Sequence, residues 1–274
     1  MSPIYVPGKV TLRGPTVAPL LLDSYSGAAA AYSLRQLSWA YGGPVVRVRR
    51  SNDNVEQDFT ATEVSDGTLA TWVGAGNNGL VRTWYDQSGN NKNAHQTTTS
   101  DQPMLVQNGA VLTKNGDPNI NFTGSQRFLD VSISYADYGI FAVYEPITLD
   151  TGFNIFISSG GTSGAGVRPT LKLYDGSGVF NANAADNTVV LEERLLFTSI
   201  VTTSYGGNLY KNGSLISTQA GIPASASVLV IGDRGNLLSG DSHSISELIF
   251  YTADQSANRA AIEANINAHY SIYP

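Results

Sequence analysis

The feature that most limits what this chain can fold into is a succession of short apolar runs, each stopped by a turn signal. "PVVRVRR", "LVRTWYD", "PMLVQNG", "NINFTG", "YGIFAVYEP", "FNIFIS", "TLKLYDG", "LLFTSIVTT", "NLYKNGSLI", "SVLVIGD" and "SISELIFY" follow one another from residue 44 to residue 251. Runs of roughly four to eight residues, rich in β-branched and aromatic side chains and bounded by Gly, Pro, Asn and Asp, have the length and punctuation of strands. The strongest local signal is "NLYKNGSLIS", where Asn212-Gly213 supplies the two left-handed positions of a tight hairpin turn. Helical spacing occurs only at the margins. In "SGAAAAYSLRQLSWAYGG", residues 26–43, Ala28 to Ala31 lead into Leu34, Leu37 and Tyr41, and Gly42-Gly43 ends the pattern. Ser256 is placed to cap "ANRAAIEANINAHY", with Ala260, Ile262, Ile266 and Tyr270 on one face. Strands with helices only at the edges predict a two-sheet sandwich and not an alternating α/β fold.

At 274 residues and 42% apolar content, the chain can bury one large all-β core or two small ones. No internal repeat or linker divides it, so the expectation is one domain, 22–274, behind an extended arm, 1–21. Pro3, Pro7, Pro15 and Pro19 keep that arm out of helix. Such an arm stays ordered only when it docks, either on its own domain or on a neighbouring subunit. For the second case Tyr5, Val6, Pro7 and Leu12 are the expected assembly contacts. The net charge of −6 and the lack of a basic tract argue against nucleic acid as a partner. "RVRR" at 47–50 is the one basic cluster, and its alternation with Val45, Val46 and Val48 predicts the solvent face of a strand. The chain has no cysteine, which excludes disulfides and thiolate metal sites. No run approaches about 20 apolar residues, so no membrane insertion is expected, and no signal-peptide core opens the sequence.

"TWYDQSGNNKNAHQ", residues 83–96, is the densest stretch of chemistry. Asp86, Ser88 and Asn90 alternate and present oxygens suited to Ca²⁺, although the EF-hand positions for Gly and Glu are unmet. The same residues make an Asx turn if Asp86 accepts backbone N–H groups of Ser88 or Gly89 while Trp84 or Tyr85 packs inward. A glycan rim built on Tyr85, Asp86 and Asn90 is the third reading. Glu247 alternates with Ile245 and Ile249, which places it in an inward row as a hydrogen-bonded structural carboxylate. His95, His243 and His269 are too dispersed for a zinc site. No nucleophile elbow, Walker loop or dinucleotide fingerprint is present. "SSGGTSGAG" at 158–166 predicts a loop or a bulge at a sheet edge. No cofactor is called for beyond the Ca²⁺ alternative.

"AAAAYSLRQLSWAYGGPVVRVRRSNDNVEQDF" and "VRTWYDQSGNNKNAHQTTTSDQPMLV" resemble a module of phage virion proteins and bacterial surface proteins, and also the opening of the arabinofuranosidase B catalytic domain. "GDSHSISELIFYTADQSANRAAIEANINAHY" is similar to the last strand and terminal helix of concanavalin A-like, LamG-type domains. The resemblance covers roughly residues 22–134 and 205–272. It implies an all-β, concanavalin A-like jelly-roll β-sandwich with a short N-proximal helix and a C-terminal helix. From the arabinofuranosidase side it implies that Asp233, in "VLVIGDRGN", is the acid/base position and the weak catalytic candidate. The matching nucleophile Glu has no counterpart in pattern; Glu145 and Glu192-Glu193 sit in different contexts. Without that pair the expected function is non-enzymatic: a virion-associated structural or attachment protein, on a phage tail or as capsid decoration. Its partners would be other virion proteins, copies of itself and cell-surface glycan, and its location the virion or an extracellular surface. The alternatives are an arabinofuranosidase-like glycoside hydrolase and a calcium-dependent carbohydrate-binding module.

Overall fold

The computed structural model describes residues 19–123, 128–131, 137–148, 154–158, 163–167, 171–175, 179–181, 190–202, 206–219, 229–232 and 242–274. The architecture is an antiparallel β-sandwich with a helical layer on one outer face. At its centre β12 (Tyr138–Pro146) runs between β17 (Leu195–Thr202) and β21 (Ser242–Tyr251). The far side of β21 is shared. β1 (Ala30–Ser33) pairs with its C-terminal half and β10 (Ile120–Thr123) with its N-terminal half. Beyond β17 the sheet continues through the hairpin β18 (Gly206–Lys211) and β19 (Ser214–Gln219). Beyond β10 it passes through β6 (Met104–Gln107) to β4 (Gly79–Trp84), β2 (Val46–Arg50) and β3 (Glu56–Phe59). The second sheet contains β11 (Phe128–Val131), β20 (Leu229–Ile231), β13 (Asn154–Ser158), β14 (Ser163–Val167), β15 (Leu171–Asp175) and β16 (Val179–Asn181). The two-residue β5 (Ala94–His95) pairs with both β4 and β11 and joins the layers.

Why β12, β17 and the end of β21, Leu248 to Tyr251, read as largely apolar runs is clear from their two buried faces. One face meets the core between sheets, which holds Tyr32, Trp84, Phe122, Phe197, Leu248 and Phe250. The other lies under α4 (Arg259–Tyr270), where Ile262, Ile266 and Tyr270 cover Phe141, Val143, Ile249 and Tyr251. The short α1 (Leu21–Ser24) adds Leu21 and Leu22 to this second core. Leu21, at the boundary expected for the arm, is therefore folded into the domain; the arm's residues 1–18, with Tyr5, Val6, Pro7 and Leu12, lie outside the described residues.

Several expectations are corrected. Residues 26–43 are not a helix: Ala30 to Ser33 form β1, and all four are fully buried. Ala30 and Tyr32 face one core and Ala31 the other, so small side chains let this strand sit between two layers. Past the strand, backbone groups are satisfied by a side chain in place of helical bonding. Gln87 Nε2 donates to the Ser33 and Arg35 carbonyls, and Gln87 Oε1 accepts from Leu37 N–H. Alanine's helix propensity is overridden by that tertiary context. The C-terminal helix is present, but Asn258 holds its N-cap position and Ser256 instead bonds Asp254. Residues 163–166 of the glycine-rich stretch lie in β14, which is paired on both sides. Arg49 is buried, donating to Gln102, Asn54 and the Thr99 carbonyl, so "RVRR" is not wholly a solvent face.

The register of β21 against β12 shifts between Glu247–Val143 and Ile245–Tyr144, leaving Ser246 as an extra residue. This bulge flips the alternation. His243 packs on Phe122 and Tyr144 and Ile245 joins the core between sheets, yet Glu247 falls on the helix side with Ile249. Glu247 shares a face with Ile249 and not, as alternation predicts, with Ile245.

Candidate functional site

Trp84 ends β4 in the core, and the chain turns at Asp86, which is almost fully buried. Asp86 Oδ1 accepts from Ala31 N–H at 2.9 Å and Ser88 N–H at 2.8 Å. Its Oδ2 accepts from Ser88 Oγ at 2.8 Å and Lys92 N–H at 3.0 Å. Asn90 donates its amide N–H groups to the Ala28 and Ala29 carbonyls and to Ser88 Oγ. The loop is thus the Asx turn, extended to clamp β1. A carboxylate has about four lone-pair sites, and four donors use them here. This donor set does not fit a hard cation that takes six to eight oxygens, roughly, since Asn90 turns N–H groups and not its oxygen inward. Among the described residues no cluster of three His, Cys, Asp or Glu is placed to hold a metal. Tyr85 lies apart from Asp86's bonds, donating its hydroxyl to Asp58 at 2.8 Å; burial, then that carboxylate, pushes its phenol up to about 12.

Glu247 is fully engaged. It accepts from Arg35 Nε at 2.7 Å and Nη2 at 2.9 Å, from Ser33 Oγ at 2.8 Å and from Tyr270 Oη at 3.2 Å. Burial works against the Arg35 charge, but Glu247 beside it more than offsets this and holds the guanidinium above its ordinary value. This carboxylate is a structural tie between β1, β21 and α4.

Asp233 lies outside the described residues; it follows Gly232, the first residue past β20, whose φ is 107°. Glu145, on β12, is buried and its Oε1 lies 3.0 Å from Lys114 Nζ. Its Oε2 has no partner among the described residues. Glu192 and Glu193 are exposed ahead of β17.

A cleft that the sequence did not signal lies between segments distant in the chain. It has a volume of about 320 Å³ and is walled by Leu34–Gln36, by Ala61, Thr62 and Ser65 of α2 (Ala61–Ser65), by residues 116–118 and by the end of α4. Asp117 accepts from Arg194 at 2.9 Å and stands 3.8 Å from His269 Nε2. The Tyr270 ring has Arg35 at 5.7 Å and Arg194 at 5.1 Å. Burial first, then the Arg35 charge, holds the His269 imidazole below its ordinary value. One local signal did exist: "TATE" at 60–63 is a capping box, with Thr60 accepting from Glu63 N–H and Glu63 accepting from Thr60 N–H.

No protein-family model and no curated protein matches the chain. Solved structures do. A GH54 α-L-arabinofuranosidase soaked with a cyclic sulfate inhibitor superposes with TM-score 0.69 at 14% identity, over 90% of this chain and 64% of the other. An arabinofuranosidase complexed with arabinofuranosyl-α-1,2-xylobiose superposes with TM-score 0.66 at 14% identity, over the same shares. This chain therefore spans 64% of the length of those enzymes and shares their fold.

Proposed function

We propose that this chain is a carbohydrate-directed jelly roll that hydrolyses terminal furanosides, with Asp233 as proton donor. The observation that supports it is the superposition on arabinofuranosidases over 90% of the chain. Asp233 adds the local argument, following Gly232 just past the strand end, where the family resemblance expects an acid. Glycoside hydrolysis needs a second carboxyl, about 5 Å from the first for retention and farther for inversion. Asp86 is excluded because two donors stand on each of its oxygens, and Glu247 because it is buried in a two-point ion pair with Arg35. Glu145 keeps one oxygen uncommitted among the described residues and is the variant to pair with Asp233. The attachment reading draws on the arm, and nothing among the described residues favours it.

The test is release of nitrophenol from 4-nitrophenyl α-L-arabinofuranoside. The intact chain should release it, and Asp233→Asn should lower the rate by roughly 10²- to 10⁴-fold, the usual worth of a general acid. Binding of arabinofuranosyl-α-1,2-xylobiose without release would leave a carbohydrate-binding module. Absence of both release and binding would overturn the carbohydrate reading.

A further inference from the structure

The cleft beside His269 does not end at α2. A second cleft, of about 230 Å³, is walled by Tyr41, Gly42, Gly43 and Thr60, and both are lined by Gln36, Ala61 and Thr62. They meet there as one groove along the helix side of the sandwich. The larger part alone reaches the lower end of the range for small-ligand pockets, about 300 Å³.

We infer that this groove binds a neutral oligosaccharide chain, at a site separate from Asp233; the inference rests on the carbohydrate reading above. Charge is the first argument. Both arginines beside the groove are already paired, Arg35 with Glu247 and Arg194 with Asp117, and a lowered His269 is uncharged at pH 7. The lining mixes apolar surface with polar groups and carries no unpaired charge, which suits the two-sided character of a sugar ring and gives a phosphate or uronate no free cation. Hydrogen-bonding capacity is the second. Gln36 spends its amide N–H groups on the Ser38 and Tyr41 carbonyls, and its side-chain oxygen has no donor among the described residues. Arg35 Nη1, the Thr62 hydroxyl and His269 Nδ1 are likewise uncommitted among the described residues, while His269 Nε2 stands by Asp117. Shape is the third. Helix and loop residues wall the groove except at the two-residue strand Asp117–Pro118, which is too short, and at Pro118 lacks the N–H, to take up a peptide by β-pairing. Tyr41, fixed by its hydroxyl bond to the Pro44 carbonyl, offers a ring face in the second part, and Trp39 is 55% exposed on the same loop. Sugar rings stack on such faces.

Thr62 is exposed on the shared wall, so Thr62→Trp fills the groove without entering the core. In an Asp233→Asn background, which slows turnover, arabinofuranosyl-α-1,2-xylobiose should bind by calorimetry. Thr62→Trp should weaken that binding at least tenfold with the thermal midpoint unchanged. If Trp unsettles the fold, Thr62→Gln serves as a smaller obstruction at the same wall. Undiminished binding by the obstructed, folded variant overturns the groove assignment and leaves the carbohydrate reading standing. No binding by the unobstructed chain also overturns it, while the nitrophenol assay decides the parent reading independently.

Discussion

At the scale of single residues, Glu247 and His243 are two kinds of buried polar group on one strand. Glu247 accepts from four donors, and its removal would leave Arg35, 15% exposed, without its counter-charge. Breaking a buried pair costs about 3–5 kcal/mol. Glu247→Ala should therefore destabilise the fold by about that amount in urea titration, with a value under 1 kcal/mol arguing that water replaces the pair. His243 is the opposite case: its Nε2 has no partner among the described residues, and burial lowers its pKa from 6.5 to about 3. Below pH 6.5 the unfolded chain takes up a proton that the folded chain refuses until about pH 3. Stability from this group is full above 6.5 and is lost as pH falls through that window, by about 2 kcal/mol between pH 7 and pH 5. His243→Leu should remove that share of the acid loss, read as a smaller difference in urea midpoint between the two pH values. Equal acid losses in both proteins would show that His243 is solvated. The structural role of Glu247 was legible in its sequence context, but its facing was not, because nothing local marks Ser246 as an extra residue in the ladder.

Elements show where local preference and tertiary context part company. The hairpin at Asn212-Gly213 was legible because its chemistry is self-contained: φ is 50° and 77° at the two residues. The alanine stretch was misread because helix propensity and a doubly buried strand both favour small residues. The deciding groups, Gln87 and Ile249, lie far along the chain. A substitution separates the two readings. Leucine is nearly as good a helix former as alanine, so Ala31→Leu would cost little on an exposed helix face. In β1 Ala31 is fully buried under the helical layer, and the extra atoms should overpack it by about 1–3 kcal/mol. The check is the denaturant midpoint at constant m-value. The two short helices before β4 were missed although the capping box of the first was visible. Five or six residues, as in Ala61–Ser65 and Thr68–Val73, give too few turns for apolar spacing to register.

For the molecule as a whole, the consequential arrangement is that the central sheet is covered twice. A sandwich alone would leave the outer row of Phe141, Val143, Leu196, Ile249 and Tyr251 facing water. α4 covers it, and Tyr270 adds a polar tie by donating to Glu247 and lying against Ser33 Oγ at 3.4 Å. The helical stripe was legible from the spacing of Ile262, Ile266 and Tyr270, but its target was not, since β21 finds β12, β1 and β10 only through long-range pairing. Each fully buried aliphatic or aromatic side chain contributes about 1.5–3 kcal/mol. The three on α4, with the sheet residues beneath them, then match a large part of a domain's net stability of about 5–15 kcal/mol. The helix is part of the fold's single cooperative unit on this argument, and not an appendage. Removing residues 257–274 should abolish the cooperative thermal transition and expose a dye-binding apolar face. A truncated chain that kept both its thermal midpoint and its lack of dye binding would mean that the sandwich closes its outer face without the helix.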